Sequence, residues 1–291
     1  MIYEHNLNPY VFTAGTVGVS WYYTMYFVGF ALVFLGVQRD PLFKAYGLTL
    51  DDLFEVLTWG FVGLMLGGRI GYVLVYNLGI YLKSPLEIFN FHRGGMSFHG
   101  GLAGAVLAVY LTLKWRKMSF WKVADLLFLY APLALFCGRI GNFIGGELWG
   151  KPTGGNWGVI FPRAAGLDGT NPPRHPSQLY EACLEGMVLF FCLQLLARSP
   201  RYKPGYFCGA FLLGYALFRS LIEFCRVPDA QIGYLYGNWL TMGLILCLPL
   251  FLIGIWMLKL AQTEKLPGLI LPPFDTRLTT SDLRSSERSL S

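Results

Sequence analysis

The chain has 291 residues, 54% of them hydrophobic, 16% aromatic and only 14% charged, with a mean hydropathy of +0.47. Runs of about 20 mostly apolar residues recur from end to end, which excludes an ordinary soluble domain and fits a polytopic helical bundle. The formal charge of +6 is then a topology signal, not a sign of nucleic-acid binding.

Residues 1–16 are polar and carry no Lys or Arg; Val17–Val37 is the first predicted span, with Trp21, Tyr22 and Tyr23 near its start as interface anchors. No short apolar stretch with a small-residue cleavage site precedes it, so this span is expected to be its own targeting element. A second span, Leu57–Tyr76, contains GGRIGY, and a connection over 77–96 leads to a third, Ser97–Lys114. The basic turn KWRKMSFWK follows. The fourth span, Val123–Gly146, runs into CGRIGNFIGGELWG at 137–150, and residues 147–177, rich in Gly, Pro and Asn, read as a small extramembrane cap. Spans five to seven are predicted at Gln178–Ala197, Gly205–Cys225 and Trp239–Leu260. The expected fold class is all-α: one seven-helix transmembrane domain over 1–263, then a disordered cytoplasmic tail over 264–291.

The six cysteines fall within or beside apolar runs without a metal-type pair, so they read as packed thiols, and no metal site is expected. With seven spans, the loops on one side and the tail hold fourteen Lys and Arg, and the opposite loops hold six. The positive-inside rule then puts the N-terminus outside and the C-terminus in the cytoplasm.

Three arginines remain, Arg69, Arg139 and Arg219, each inside a predicted span. A charge at mid-span costs about 2.5–3.5 kcal/mol on insertion scales, and such a cost points to function. The orientation puts all three, with Asn142 and Glu223, toward the outer side, near Tyr22 at the start of span one and His99 at the start of span three. Arg139 and Asn142 share a helix face, as do Arg219 and Glu223. Arginines around one outer-leaflet cavity fit an anionic ligand such as a lipid phosphate, because the guanidinium fork matches phosphate oxygens. The glycines of GRIGNFIGG and GGMSFHGG would admit a headgroup close to the backbone. The plainer alternative is that Arg219–Glu223 and Arg139–Glu147 are internal pairs that lock helices, with the glycines as packing residues. His99, with a reference pKa of about 6.5, is the candidate general base among the four histidines.

Five motifs, GGRIGYV at 67–73, GGMSFHGGLAG at 94–104, GRIGNFIGGELWG at 138–150, RHPSQLYE at 174–181 and FRSLIEFCRVPDAQ at 218–231, stand in an order that resembles the prolipoprotein diacylglyceryl transferase family, over about residues 15–260. The resemblance implies an enzyme of the bacterial inner membrane, its active site toward the periplasm, that needs no cofactor. It would move the diacylglyceryl group of phosphatidylglycerol to the lipobox cysteine thiol in a prolipoprotein signal-peptide region, releasing glycerol phosphate. His99 would take the thiol proton while Arg139 and Arg219 neutralise the phosphate. Tyr22, Arg69, Asn142, Glu147, Gly150 and Glu223 would line or shape the site, with Glu147 and Glu223 orienting the arginines. The sequence departs from many relatives at Gly145, where they have Asn, and its cap looks short beside some of them. An anion transporter and a silent lipid-binding paralogue compete with this reading. The transporter predicts polar groups through the full depth and repeated halves.

Overall fold

The computed structural model describes residues 1–15, 17–76, 78–89, 97–166, 170–198, 203–228 and 233–262. The expected tail over 264–291 lies outside the described residues.

The described chain is mostly helical. Helix α1 (Trp21–Arg39) starts at Ser20, whose hydroxyl accepts from the Tyr23 amide, and ends at Asp40, which caps the short α2 (Pro41–Ala45) through a 2.8 Å bond from the Leu42 amide. A reciprocal Thr49–Asp52 capping box opens α3 (Leu50–Tyr76), so that helix begins seven residues before the predicted span. After α4 (Leu78–Lys83) and a 3-10 turn (Pro85–Phe89), Ser97 caps α5 (Phe98–Trp115). Helix α6 (Phe120–Gly145) carries a buried Pro132 and stops at Gly146, whose φ of 64° is the left-handed conformation that glycine adopts without strain. The span Ser177–Leu196 is composite: α7 (Ser177–Glu181), a π-helical segment (Ala182–Val188) and α8 (Leu189–Leu196). Helices α9 (Tyr206–Glu223) and α10 (Met242–Gln262) complete the bundle. Among the described residues, six helices are long and apolar enough to cross a membrane; the apolar stretch Gly100–Trp115 of α5 is shorter.

Strands were not expected, yet three pairs form outside the spans. Strand β1 (Ile2–Glu4) runs parallel to β4 (Gly158–Ile160), β2 (Tyr10–Ala14) pairs with β3 (Val17–Ser20), and β5 (Tyr234–Tyr236) pairs with β6 (Leu240–Thr241). These segments lack a helix to satisfy their amides and carbonyls, so they pair with one another. The first pair fastens the N-terminal segment to the 147–177 cap, where the His5 amide donates to the Ile160 carbonyl at 2.9 Å. The residues expected to begin span one, 17–20, belong to this layer and not to the helix.

Three helix pairs dominate the packing: α3 with α5, α1 with α6, and α9 with α10. In the first, a Cβ at Gly67 would overlap the Gly100 carbonyl and one at Gly104 the Gly63 carbonyl, so the two backbones touch. Gly67, Gly71, Gly100, Gly101 and Gly104 are therefore packing residues, while Gly94 and Gly95 lie outside the described residues. Val33, Val37, Leu126, Leu129, Leu189, Leu193, Phe207 and Phe211 form the main core between α1, α6, α8 and α9. At the end of the bundle away from the cap, the fully buried Asp125 of α6 accepts the Gly205 amide at 2.6 Å and the Cys208 amide at 2.8 Å. Gly205, the N-cap position of α9, has no side chain, and a carboxylate from another helix caps α9 in its place.

Asp125→Ala should strand these buried amides and lower stability by about 1–3 kcal/mol, with Asp125→Asn recovering part of the loss. Thermal unfolding of the detergent-solubilised variants measures it; an unchanged midpoint for Asp125→Ala would refute the cap.

Candidate active site

The stretch after α6 is shaped by hydrogen bonds to its backbone. The Glu147 amide donates to the Asn142 carbonyl, and Leu148 then takes a φ of 57°, a left-handed conformation that a leucine adopts only under constraint. The constraint is visible. Gln178 donates from its amide nitrogen to the Glu147 carbonyl at 2.5 Å, and the Ser177 hydroxyl donates to the Leu148 carbonyl at 2.9 Å; both side chains are fully buried. The RHPSQLYE motif holds the backbone upstream in the same way, where Arg174 donates to the carbonyls of Gly150 and Ala164. The His175 ring packs edge-on to Trp157, and burial holds its imidazole below the usual pKa, so it is neutral at neutral pH.

Gly150 sits between two backbones: its amide donates to the His175 carbonyl, and it bridges Arg226 in antiparallel fashion. A Cβ there would come within 2.5 Å of the Cys225 carbonyl and 2.7 Å of His175. Any side chain at 150 would push the 225–226 backbone away, and Arg226 with it.

Arg226 belongs to a buried row of alternating charges. Its Nη1 donates to Glu181 Oε1 at 2.7 Å, and its Nε lies 3.8 Å from Glu223 Oε2. Glu223 also accepts from Arg219 and, at 2.5 Å, from the Thr241 hydroxyl. The other oxygen of Glu181 faces Arg139 Nε at 3.4 Å, and Glu185 faces Arg139 Nη2 at 3.8 Å. The order is Arg139, Glu181, Arg226, Glu223, Arg219, with Glu185 beside Arg139. Three arginines meet three carboxylates.

The two arginines expected at the site differ from the third in one respect. Arg139 makes no hydrogen bond among the described residues; its carboxylate partners stand in ion pairs at 3.4 and 3.8 Å, and its side chain is 19% exposed. Arg219, 13% exposed, donates from Nη1 to Glu223, and none of its other donors bonds a described residue. The ends of the row thus present unused N–H donors, the property an incoming anion requires.

The remaining predicted residues fall around this row or away from it. Asn142 is buried, and its amide bonds no described residue. Tyr22 hydrogen-bonds Tyr26 at 2.9 Å, touches α6 at Gly141 and stands within electrostatic reach of Glu147 and Arg139. The Glu147 carboxylate is exposed and unpaired among the described residues. It was expected to orient Arg139 but does not pair with it; Glu181 and Glu185 do, because the bend at 147–148 follows the helix end while Ser177–Leu196 runs along α6. Glu223 does pair with Arg219, as expected. A Cβ at Gly145 would meet only Glu147 atoms, the nearest at 3.8 Å, so an asparagine there would fit. Arg69 donates to the carbonyls of Ile88 and Glu87 at 2.8 and 2.7 Å and stacks over Tyr81, bracing α3 against the 78–89 segment. His99 lies in the first turn of α5, but its side chain is outside those described.

Sequence reasoning missed Glu181, Glu185 and Arg226. The two glutamates carry a usable signal, because acids inside an apolar span are as costly as bases. Arg226 was assigned to a loop, and nothing local marked it as buried. Among the described residues, no group of three His, Cys, Asp or Glu side chains is placed to hold a metal ion.

The family model described as prolipoprotein diacylglyceryl transferase matches residues 9–260. A Xanthomonas euvesicatoria pv. vesicatoria (strain 85-10) protein is 43% identical over 288 residues, 94% of this chain and 97% of its own length. One from Pasteurella multocida (strain Pm70) is 47% identical over 248 residues, covering 85% of this chain and 89% of its own. A third, from Xanthomonas campestris pv. campestris (strain B100), is 44% identical over 285 residues, covering 92% and 95%. All three carry the name phosphatidylglycerol–prolipoprotein diacylglyceryl transferase. A multi-pass helical chain with unused arginine donors, matched in this way over nearly its whole length, belongs to the prolipoprotein diacylglyceryl transferase family and is a transferase of membranes.

Proposed function

We propose that the chain transfers the sn-1,2-diacylglyceryl group of phosphatidylglycerol to the lipobox cysteine of a prolipoprotein, the first step of bacterial lipoprotein maturation. The observation that carries this reading is the pair of arginines, Arg139 and Arg219, with N–H donors left unused at the two ends of a charge-balanced buried row. A lipid phosphate bridging them would gain charge-assisted hydrogen bonds in a low-dielectric setting. In the reaction the thiol loses its proton, which we assign to His99, and sulfur attacks the glycerol carbon. The carbon–oxygen bond to phosphate breaks, its electron pair stays on the phosphate, and glycerol phosphate departs with a second negative charge. That charge develops where Arg139 and Arg219 point. Asn142, Tyr22 and Glu147 border the same space, Glu223 steadies Arg219, and Arg69 acts at one remove as a brace. Gly150 shapes the site by admitting Arg226.

The same reading gives the membrane arrangement. The N-terminal strand, the cap and the segment after α9 meet at one end of the molecule, through the β1–β4 pairing and the Gly150–Arg226 bridge. With α5 as a seventh span, of 18 residues and about 27 Å, that end faces the periplasm and the basic turns face the cytoplasm. The membrane is the bacterial inner membrane, and 1–263 forms one domain with a cytoplasmic tail.

Labelled transfer from phosphatidylglycerol to a lipobox peptide, beside a Cys→Ser peptide, tests the activity. Arg139→Ala should lower kcat at least about 100-fold in protein that still inserts, and Arg139→Lys should rescue little, because lysine lacks the planar fork. Turnover near that of the parent in either variant would remove the phosphate-binding role. The orientation is checked in a background with its six cysteines replaced by alanine. A cysteine at Asn156 in the cap should react with a membrane-impermeant thiol reagent in intact spheroplasts, and one at Arg116 only after permeabilisation. The reverse pattern would overturn the topology.

A further inference from the structure

We propose that Glu185, together with Glu181, is a positioning residue that aims the Arg139 guanidinium at the substrate phosphate while leaving its donors free; this rests on Arg139 as the phosphate ligand proposed above. Three observations converge on it. The span Ser177–Leu196 winds as α-helix to Glu181, as π-helix from Ala182 to Val188 and as α-helix again from Leu189. A π-turn takes an extra residue at an energetic cost, and such turns persist where they deliver a side chain to a site. Next, Gly186 presses this segment against α6 one turn before Arg139. A Cβ there would lie 2.7 Å from the Phe136 Cβ and 3.0 Å from its Cα, so only glycine permits the approach that brings Glu185 beside Arg139.

Finally, Glu185 is fully buried, yet neither of its oxygens accepts a hydrogen bond from a described residue, and Oε2 of Glu181 accepts none from them either. The cation they share is Arg139, at 3.8 and 3.4 Å, while the other oxygen of Glu181 holds Arg226. A carboxylate serving only to anchor an arginine gains most by closing to a bidentate pair. Here neither closes to a hydrogen bond with Arg139. They fix the direction of the guanidinium through charge and shape and leave its N–H groups to another acceptor.

The test uses the purified full chain with phosphatidylglycerol and a lipobox peptide, measuring kcat, KM for the lipid and inhibition by added glycerol phosphate. Glu185→Gln should lower kcat about 10- to 100-fold, because the guanidinium is no longer held in register. It should also make glycerol phosphate inhibit about 5- to 10-fold more tightly, because the arginine has lost a counter-charge. Glu185→Asp, which keeps the charge and draws it back by one methylene, should restore part of kcat and leave the inhibition near that of the parent. A kcat for Glu185→Gln within twofold of the parent overturns the proposal. Loss of kcat without tighter inhibition also overturns it, as that marks a merely structural residue. If Glu185→Gln does not fold, Glu185→Asp decides: parental kcat refutes the inference, and so does a loss of kcat that recurs at the same size in the Arg139→Ala background, whereas a loss confined to the parent background supports it. Arg139→Ala separates this inference from the reading beneath it. An active Arg139→Ala removes the phosphate role altogether, whereas an inactive one beside a normal Glu185→Gln removes this inference alone.

Discussion

Three guanidinium groups in a low-dielectric interior repel one another unless each has a counter-charge, and a counter-charge that closes to a bidentate pair occupies the donors a phosphate would need. The row of Arg139, Glu181, Arg226, Glu223 and Arg219, with Glu185 alongside, meets both demands. Arg226, in the middle, is tightly paired. The arginines at the ends keep donors free. Because the partners come from α6, the Ser177–Leu196 span, α9 and the segment after it, the row also fixes how those elements stand against one another. Removing one member of such a buried set leaves its partner's charge uncompensated, at a cost of about 3–5 kcal/mol.

The surrounding scaffold serves that arrangement through close backbone approach. Gly150 admits the Cys225–Arg226 backbone, Gly186 admits Phe136, and Gly243 makes room for the Glu223 carboxylate. Elsewhere the same device joins α3 to α5 and α9 to α10. Lipid offers no hydrophobic drive between helices, so small residues and direct packing hold them. The cap follows a different rule: outside the spans, short strands and side chains such as Arg174 and Ser177 satisfy the backbone.

Much of this was legible in the sequence, for identifiable reasons. Apolar runs of spanning length mark helices because the bilayer leaves the backbone no other partner, and intramembrane Arg139 and Arg219 stand out because their charge is expensive there. The pairing of Arg219 with Glu223 follows from helix periodicity alone. What was not legible depended on contacts between distant segments. The partners of Arg139 lie more than forty residues along the chain, and one of them, Glu185, faces it from a π-turn that no pattern announces. Arg226 sits just past a helix end and is buried only because Gly150 folds back against it. Arg69 looked equivalent to the other two arginines, but the carbonyls at 87 and 88 claim it. The strands were hidden because stretches of two to five residues are too short for an alternating pattern to establish itself.

Helix α9 is held at both ends, at Gly205 and Cys208 by the Asp125 carboxylate and at Arg219 and Glu223 by the buried charges. Its 18 residues give a strut of about 27 Å. One residue more or fewer between the two attachments would turn Arg219 by about 100° relative to Asp125, so this length cannot drift. A helix tied at one end adapts to a thicker or thinner bilayer by tilting. Tied to its neighbours at both ends, α9 cannot tilt on its own, and Arg219 keeps its place relative to Asp125.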